Sequence, residues 1–194
     1  GNGGLLDDYA ALAPRRVVLV EGDHDTGAEL QERAAGLPWA EVRCEVVAAQ
    51  AGPLAWHRFN LPALNGPQES QGLLAFYPRL RALGRSTVQA LALADLLSGV
   101  VPQDGPGAGH VLVLDVPGQE MALLASLPEE TIRRFDGVVL RGCGAAVPGL
   151  QSVAPQAVEW LAGRCYRQLQ SWTDSEPLWP VHVMAFDADA ASRE

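Results

Sequence analysis

The amino-acid sequence predicts an α/β fold: a mainly parallel sheet with helices on both faces, closed near its C-terminal end by an antiparallel hairpin. Three observations carry this. Residues 15–25, RRVVLVEGDHD, hold an apolar run of the buried kind that stops abruptly on Glu21, Gly22 and Asp23. Residues 110–120, HVLVLDVPGQE, repeat that pattern and end on Asp115 and Gly118. Segments of helical length separate such runs, which is the mark of βαβ units, and right-handed crossovers then put helices on both faces.

Taken in order, LLDDYAALA (5–13) has helical spacing, with Leu5, Leu6, Tyr9 and Leu12 on one side and Pro14 as its stop. RVVLVE (16–21) is the first strand. DTGAELQERAAG (25–36) follows as a helix, capped by Asp25 or Thr26 and closing near Gly36. AEVRCEVVAAQ (40–50) reads as the next strand, and GPLAWHRFN (52–60) as another after a Gly-Pro turn. Residues 61–72 are loop-like and 73–84 are ambiguous between helix and strand. A short strand is expected at 87–90, a turn of helix at 95–97, and a surface loop at 102–109. The second acid-ended strand leads into a helix at 119–127, a strand at 135–142 and a helix at 154–166. YRQLQSWT and PVHVMAFDAD form the closing antiparallel pair. No repeat or linker divides the text, so residues 1–194 are expected to form a single domain.

Composition narrows the chemistry. Apolar residues make up 48% and charged residues 19%, which is globular rather than disordered. The net charge of −9 gives no electrostatic reason to bind nucleic acid or an anionic membrane, and the arginines are scattered singly or in pairs. There is no lysine, which excludes Schiff-base chemistry. Cys44, Cys143 and Cys165 are odd in number and widely spaced, as buried reduced thiols of a cytoplasmic protein would be. No apolar run reaches membrane-spanning length. The N-terminus, GNGG, lacks an initiator Met and a signal-peptide core, so a cut or processed start is expected. Phosphate-loop, Ser-His-Asp and zinc spacings are all missing.

Glu21 and Asp115 fall at the carboxyl ends of two buried strands, the edge where open parallel sheets bind ligands. A carboxylate at Glu21 suits the two hydroxyls of a ribose; the plainer reading is an exposed turn acid. Asp23 is a turn or helix-start residue. Asp115 either orients a ligand at the sheet rim or caps the helix that starts near Gly118. Glu120 sits in that helix's first turn, where a carboxylate suits the dipole. His57, in the alternating LAWHRFN, is either a general base or a solvent-facing strand residue. Asn60 and Asn65 are substrate contacts or ordinary turn residues. Trp160, Trp172 and Trp179 are packing residues.

The ordered set of segments resembles a seven-stranded, Rossmann-like S-adenosylmethionine-dependent methyltransferase, and more narrowly the FkbM family of O-methyltransferases. VVLVEGDHDTGAELQERAA resembles that family's second strand, its acidic end and the helix after it. EVVAAQAGPLAWHRFNLPALNG resembles the third strand and a hairpin-like excursion. VQALALADLL resembles the threonine-leucine-aspartate segment, and VLVLDVPGQEMALLASL the lysine-isoleucine-aspartate-valine-glutamate-glycine signature. The likeness runs over residues 5–186. It implies S-adenosylmethionine as cofactor, held by Gly1, Gly3, Glu21, Gly22 and Ala49, with Asp115 and His57 on the acceptor side. It also implies a small-molecule or sugar hydroxyl as acceptor. Three departures accompany it: nothing before GNGGLL supplies the family's first strand, Pro117 stands where the signature has glutamate, and the signature's lysine is missing. The first departure implies a shortened chain, a closed-up sheet, or a strand supplied by a second copy or partner domain. Together they keep open a non-catalytic module of the same fold.

Overall fold

The structure, a computed structural model, describes residues 1–69, 72–144, 154–173 and 178–193. Its contacts fall into two units. One comprises Gly1–Val47, Ala51–Pro67 and Arg79–Leu91, the other Ala48–Gln50, Gln68–Pro78 and Ala92–Glu194.

In the first unit, helix α1 (Leu6–Ala11) ends before Ala13, which takes a positive φ of 49° ahead of Pro14. Strand β1 (Val17–Val20) pairs in parallel with β2 (Ala40–Arg43), Val17 opposite Ala40 and Val20 opposite Arg43. The crossover between them is helix α2 (His24–Ala34). Its cap is Asp23 rather than Asp25 or Thr26, because the Asp23 carboxylate accepts from the Thr26 N–H at 3.0 Å. Leu30 and Ala34 of α2 and Leu6 of α1 bury together against Leu19, Trp39 and Val42.

The apolar run at 40–50 forms two strands, not one. It breaks at Cys44 and Glu45, both exposed, and β3 (Val46–Ala48) joins a different sheet. That sheet has the order β3-β5-β4, with β4 at Gly52–Phe59 and β5 at Ala82–Ala92. Strands β4 and β5 are antiparallel, and their register skips Leu83, since Arg58 lies opposite Gly84 and Phe59 opposite Ala82. The short strand expected at 87–90 is therefore 11 residues long and takes in the end of the ambiguous 73–84 segment. Earlier in that segment lies a 3-10 turn, Leu73–Ala75.

In the second unit, helix α3 (Leu93–Val100) precedes β6 (Val111–Asp115). Helices α4 (Glu120–Ala125) and α5 (Glu129–Ile132) then lead to β7 (Gly137–Arg141). Helix α6 (Ala154–Ala162) leads to the pair β8 (Tyr166–Trp172) and β9 (Val181–Phe186), and α7 (Ala188–Ala191) follows. The sheet order is β6-β7-β9-β8. Leu124, Ile132, Val138, Leu140, Leu161 and Met184 are fully buried here. Strand β6 alternates instead of burying both faces: Leu112 and Leu114 are covered while Val111 and Val113 are exposed. The expected closing hairpin is present as β8–β9, with a register that skips Leu169. No described helix is long and apolar enough to cross a membrane.

The α/β class holds, but the pairing is mixed rather than mainly parallel. Pairs β1–β2 and β6–β7 are parallel, whereas β4–β5, β7–β9 and β8–β9 are antiparallel. Parallel neighbours need a long crossover, which α2 and the α4–α5 pair provide. Among the described residues the chain from β4 to β5 and from β8 to β9 has no such helix, and these pairs are antiparallel.

Candidate functional site

The turn from β1 into α2 is fixed by carboxylates. Glu21 accepts the Asp23 N–H at 2.8 Å through Oε1, and its Oε2 pairs with the amino group of Gly1. Asp23, only 5% exposed, takes three donors: the Thr26 N–H and hydroxyl at 3.0 Å each, and the Asn65 carboxamide at 2.8 Å. Asn65 in turn accepts the Phe59 N–H at 2.7 Å, so one side chain ties the turn to the end of β4. Burial pushes the Asp23 carboxyl up, but its hydrogen bonds from Thr26 and Asn65 and the Arg58 charge outweigh this and hold it below the usual value. Gly22 is a glycine for want of room, since a Cβ there would meet the Trp56 ring at 2.8 Å.

Beside this turn lies a cavity of about 400 Å³ lined by Gly22, Cys44, Glu45, Val46, Gln89, Ala90 and Leu91. Gly22 comes just after Glu21 at the end of β1, and Cys44 just after the last residue of β2. The cavity therefore opens at the carboxyl ends of a parallel pair, where ligands of open α/β sheets bind. Its volume is in the small-molecule range, which runs from roughly 300 to 1,000 Å³. Val46, Ala90 and Leu91 supply apolar wall, and Glu45 and Gln89 supply a carboxylate and a carboxamide. Cys44 is exposed rather than buried, whereas Cys143 and Cys165 are buried.

Of the residues singled out in the sequence, Gly1, Gly3, Glu21, Gly22 and His57 belong to this unit. Gly22 lines the cavity, and Gly1 sits on the Glu21 carboxylate. Gly3, at φ 85°, packs so tightly on Leu6 and Leu30 that a Cβ would approach them within 2.9 and 3.0 Å. His57 is a partly buried strand residue, bridged through its backbone to Gly66 and stacked on Phe59 at 6.5 Å between ring centroids. Asn60 holds the backbone of Arg79 and Arg81, donating to one at 3.1 Å and accepting from the other at 2.6 Å.

Ala49 and Asp115 belong to the second unit. Ala49 is partly buried in the bend after β3. Asp115 does not cap α4, whose first residue is preceded by Gln119 with no side-chain cap. Its carboxylate instead faces its cross-strand neighbour Arg141, at 3.3 and 3.4 Å. The dipole-facing acid Glu120 is wholly buried and accepts the Gly118 N–H at 3.0 Å. Trp179 is packed as expected and donates to the Tyr77 hydroxyl at 2.6 Å, while Trp160 carries the Arg164 guanidinium over its ring at 3.7 Å. Trp172 is 39% exposed, so the packing role expected of it is only partial.

Sequence reasoning passed over Glu45, Gln89 and Cys44 as cavity residues and Asn65 as a tether. The sequence offered no clear signal for them, since Glu41, Arg43 and Glu45 alternate with Val42 and Cys44 without a break. Among the described residues no His/Cys/Asp/Glu group is arranged to hold a metal ion.

No known family model and no curated protein matches this chain. Among solved structures, one described as "The structure of LepI complex with SAM" is similar at 14% identity and a TM-score of 0.35. The alignment covers 96% of this chain and 46% of that one, so the chain spans about half the length of that neighbour. At that TM-score the likeness adds nothing to what the cavity and the order of elements say about this chain.

Proposed function

We propose that this chain is an S-adenosylmethionine-dependent methyltransferase-like domain, of FkbM type, acting on a hydroxyl of a small molecule or sugar. The observation that carries the reading is the cavity at the carboxyl ends of β1 and β2, bordered by the Glu21–Gly22 turn. Its residues suit an adenosine: apolar walls at Val46, Ala90 and Leu91 for a base, and the Glu45 carboxylate and Gln89 carboxamide for polar groups, with Glu21 next to the lining residue Gly22. When bound, S-adenosylmethionine supplies a sulfonium methyl group open to attack by an oxygen nucleophile. Glu21 would accept from the ribose, with Gly22, Gly3 and Gly1 of the same unit shaping the approach. His57, in the same unit as the cavity, would take the proton of the attacking hydroxyl.

A second reading is favoured by Asp115 itself. Its carboxylate is engaged by the Arg141 guanidinium at 3.3 Å, a partner that an acceptor hydroxyl would have to displace. Such a domain keeps the fold and the ligand cavity without catalysis, and serves as an interaction or regulatory module.

Calorimetric titration of the full chain with S-adenosylmethionine and with its demethylated product tests both readings. Saturable binding is expected, with a gain in stability of about 2.7 kcal/mol at a hundredfold excess over Kd. Glu45→Ala and Glu21→Ala are each expected to raise Kd. Binding without turnover on any hydroxyl acceptor selects the second reading, and no binding of either ligand removes the cofactor from both.

A further inference from the structure

The chain is strongly acidic, yet one part of it is not. The segments 51–67 and 79–91 of the first unit contain Arg58, Arg79, Arg81 and Arg85 and no carboxylate, while all 23 Asp and Glu residues lie elsewhere. The sequence separates these arginines, and the fold gathers them. Arg58 lies opposite Gly84, Arg85 opposite His57, and Arg81 is held to Asn60. Arg58 is paired with Asp25 at 2.8 Å, whereas Arg79, Arg81 and Arg85 are exposed and face no carboxylate among the described residues.

The same place offers backbone. Strand β5 is 11 residues long, and on the side away from β4 its neighbour β3 has only 3. Most of that edge of β5 therefore has no ladder partner among the described residues. Leu83, the residue skipped in the register, is 65% exposed beside the arginines.

We propose that the arginine-bearing end of the β4–β5 pair docks an acidic, extended segment of a partner protein, added as a strand along the uncovered edge of β5. Backbone hydrogen bonds supply affinity in such an addition and side chains supply selectivity. Guanidinium forks match carboxylates two bonds at a time. A second copy adding by the same edge would bring like charges together. A long nucleic acid is disfavoured by the chain's net charge of −9, whereas a short acidic segment needs only the arginine-bearing strands. This inference does not depend on the methyltransferase reading.

The test uses the full chain and a fluorescein-labelled peptide of about eight residues, a strand's length, with aspartate and valine alternating. Anisotropy should show saturable binding that weakens with added salt. Arg81→Glu together with Arg85→Glu should weaken it by at least about tenfold, as loss of charge-assisted contacts requires. Both sites are exposed, and circular dichroism with the milder Arg85→Ser guards against loss of folding. A peptide of equal charge interrupted by prolines should bind poorly, because it cannot add as a strand. The proposal is overturned by a lack of saturable binding, by equal binding to the reversed variant, or by equal binding of the proline peptide. Tighter binding of a single-stranded DNA of the same charge would overturn it too, as would self-association relieved by Arg81→Glu.

Discussion

After β1 the acid turns inward, and after β6 it stays outside. Glu21 closes onto the Asp23 N–H, whereas Asp115 remains exposed and meets Arg141 on the neighbouring strand. The residues that follow explain the difference. Gly22 lets the chain fold tightly under the Trp56 ring, so Asp23 arrives at once as a buried cap. Val116 and Pro117 lengthen the other turn until Gly118, at φ 81°, reverses the chain and Glu120 becomes the buried acid. Each turn thus buries one carboxylate that receives a backbone N–H, and a cavity lies beside the first. Two passages of similar text can place their chemistry at different offsets, because the residue after the acid decides the turn.

The comparison breaks most visibly at Gly142. A Cβ there would lie 2.4 Å from the Glu120 carboxylate, whose burial leaves it little room. Gly142→Ala is expected to lower stability by about 3 kcal/mol in urea unfolding, the upper range for overpacking. Asn65→Ala comes next, at about 2 kcal/mol, since it strips a donor from buried Asp23 and an acceptor from the Phe59 N–H. This loss should depend on pH. The folded Asp23 pKa is depressed, so its contribution is complete above the unfolded carboxyl value, about 3.9, and fades as pH falls through the folded value. The gap between wild type and Asn65→Ala should therefore narrow on acidification below about pH 4. A gap that stays constant would show that the Asp23 charge is not what Asn65 supports. Asp115→Asn is expected to change stability least, by under about 0.5 kcal/mol, as for exposed ion pairs. A larger loss would mean that the second turn, too, relies on its terminal acid.

Much of this was readable beforehand, and for specific reasons. Strands β1, β6 and β7 announce themselves because their apolar runs are continuous and bounded by turn residues. The closing pair β8–β9 is legible as two short segments on either side of a stretch with turn-forming residues. The split of residues 40–50 was not, since Glu41, Arg43 and Glu45 keep one alternation running across the break at Cys44–Glu45. The length of β5 was hidden because its first half is exposed and polar, and its partner β4 lies some way upstream in sequence. Of the candidate site, Gly22 was visible through its glycine between two acids. Glu45 and Gln89 were not, because a residue lines a cavity through neighbours that only the fold assembles.

The skipped residue at Leu169 has one further consequence. Strand β8 ends the order β6-β7-β9-β8, and a regular final strand would be a template for copy upon copy in a growing filament. With Gln168 opposite Met184 and Gln170 opposite Val183, the strand carries one residue that has no counterpart. A newcomer would have to reproduce that irregularity to continue the ladder, so polymerisation through this side is discouraged by geometry rather than by charge.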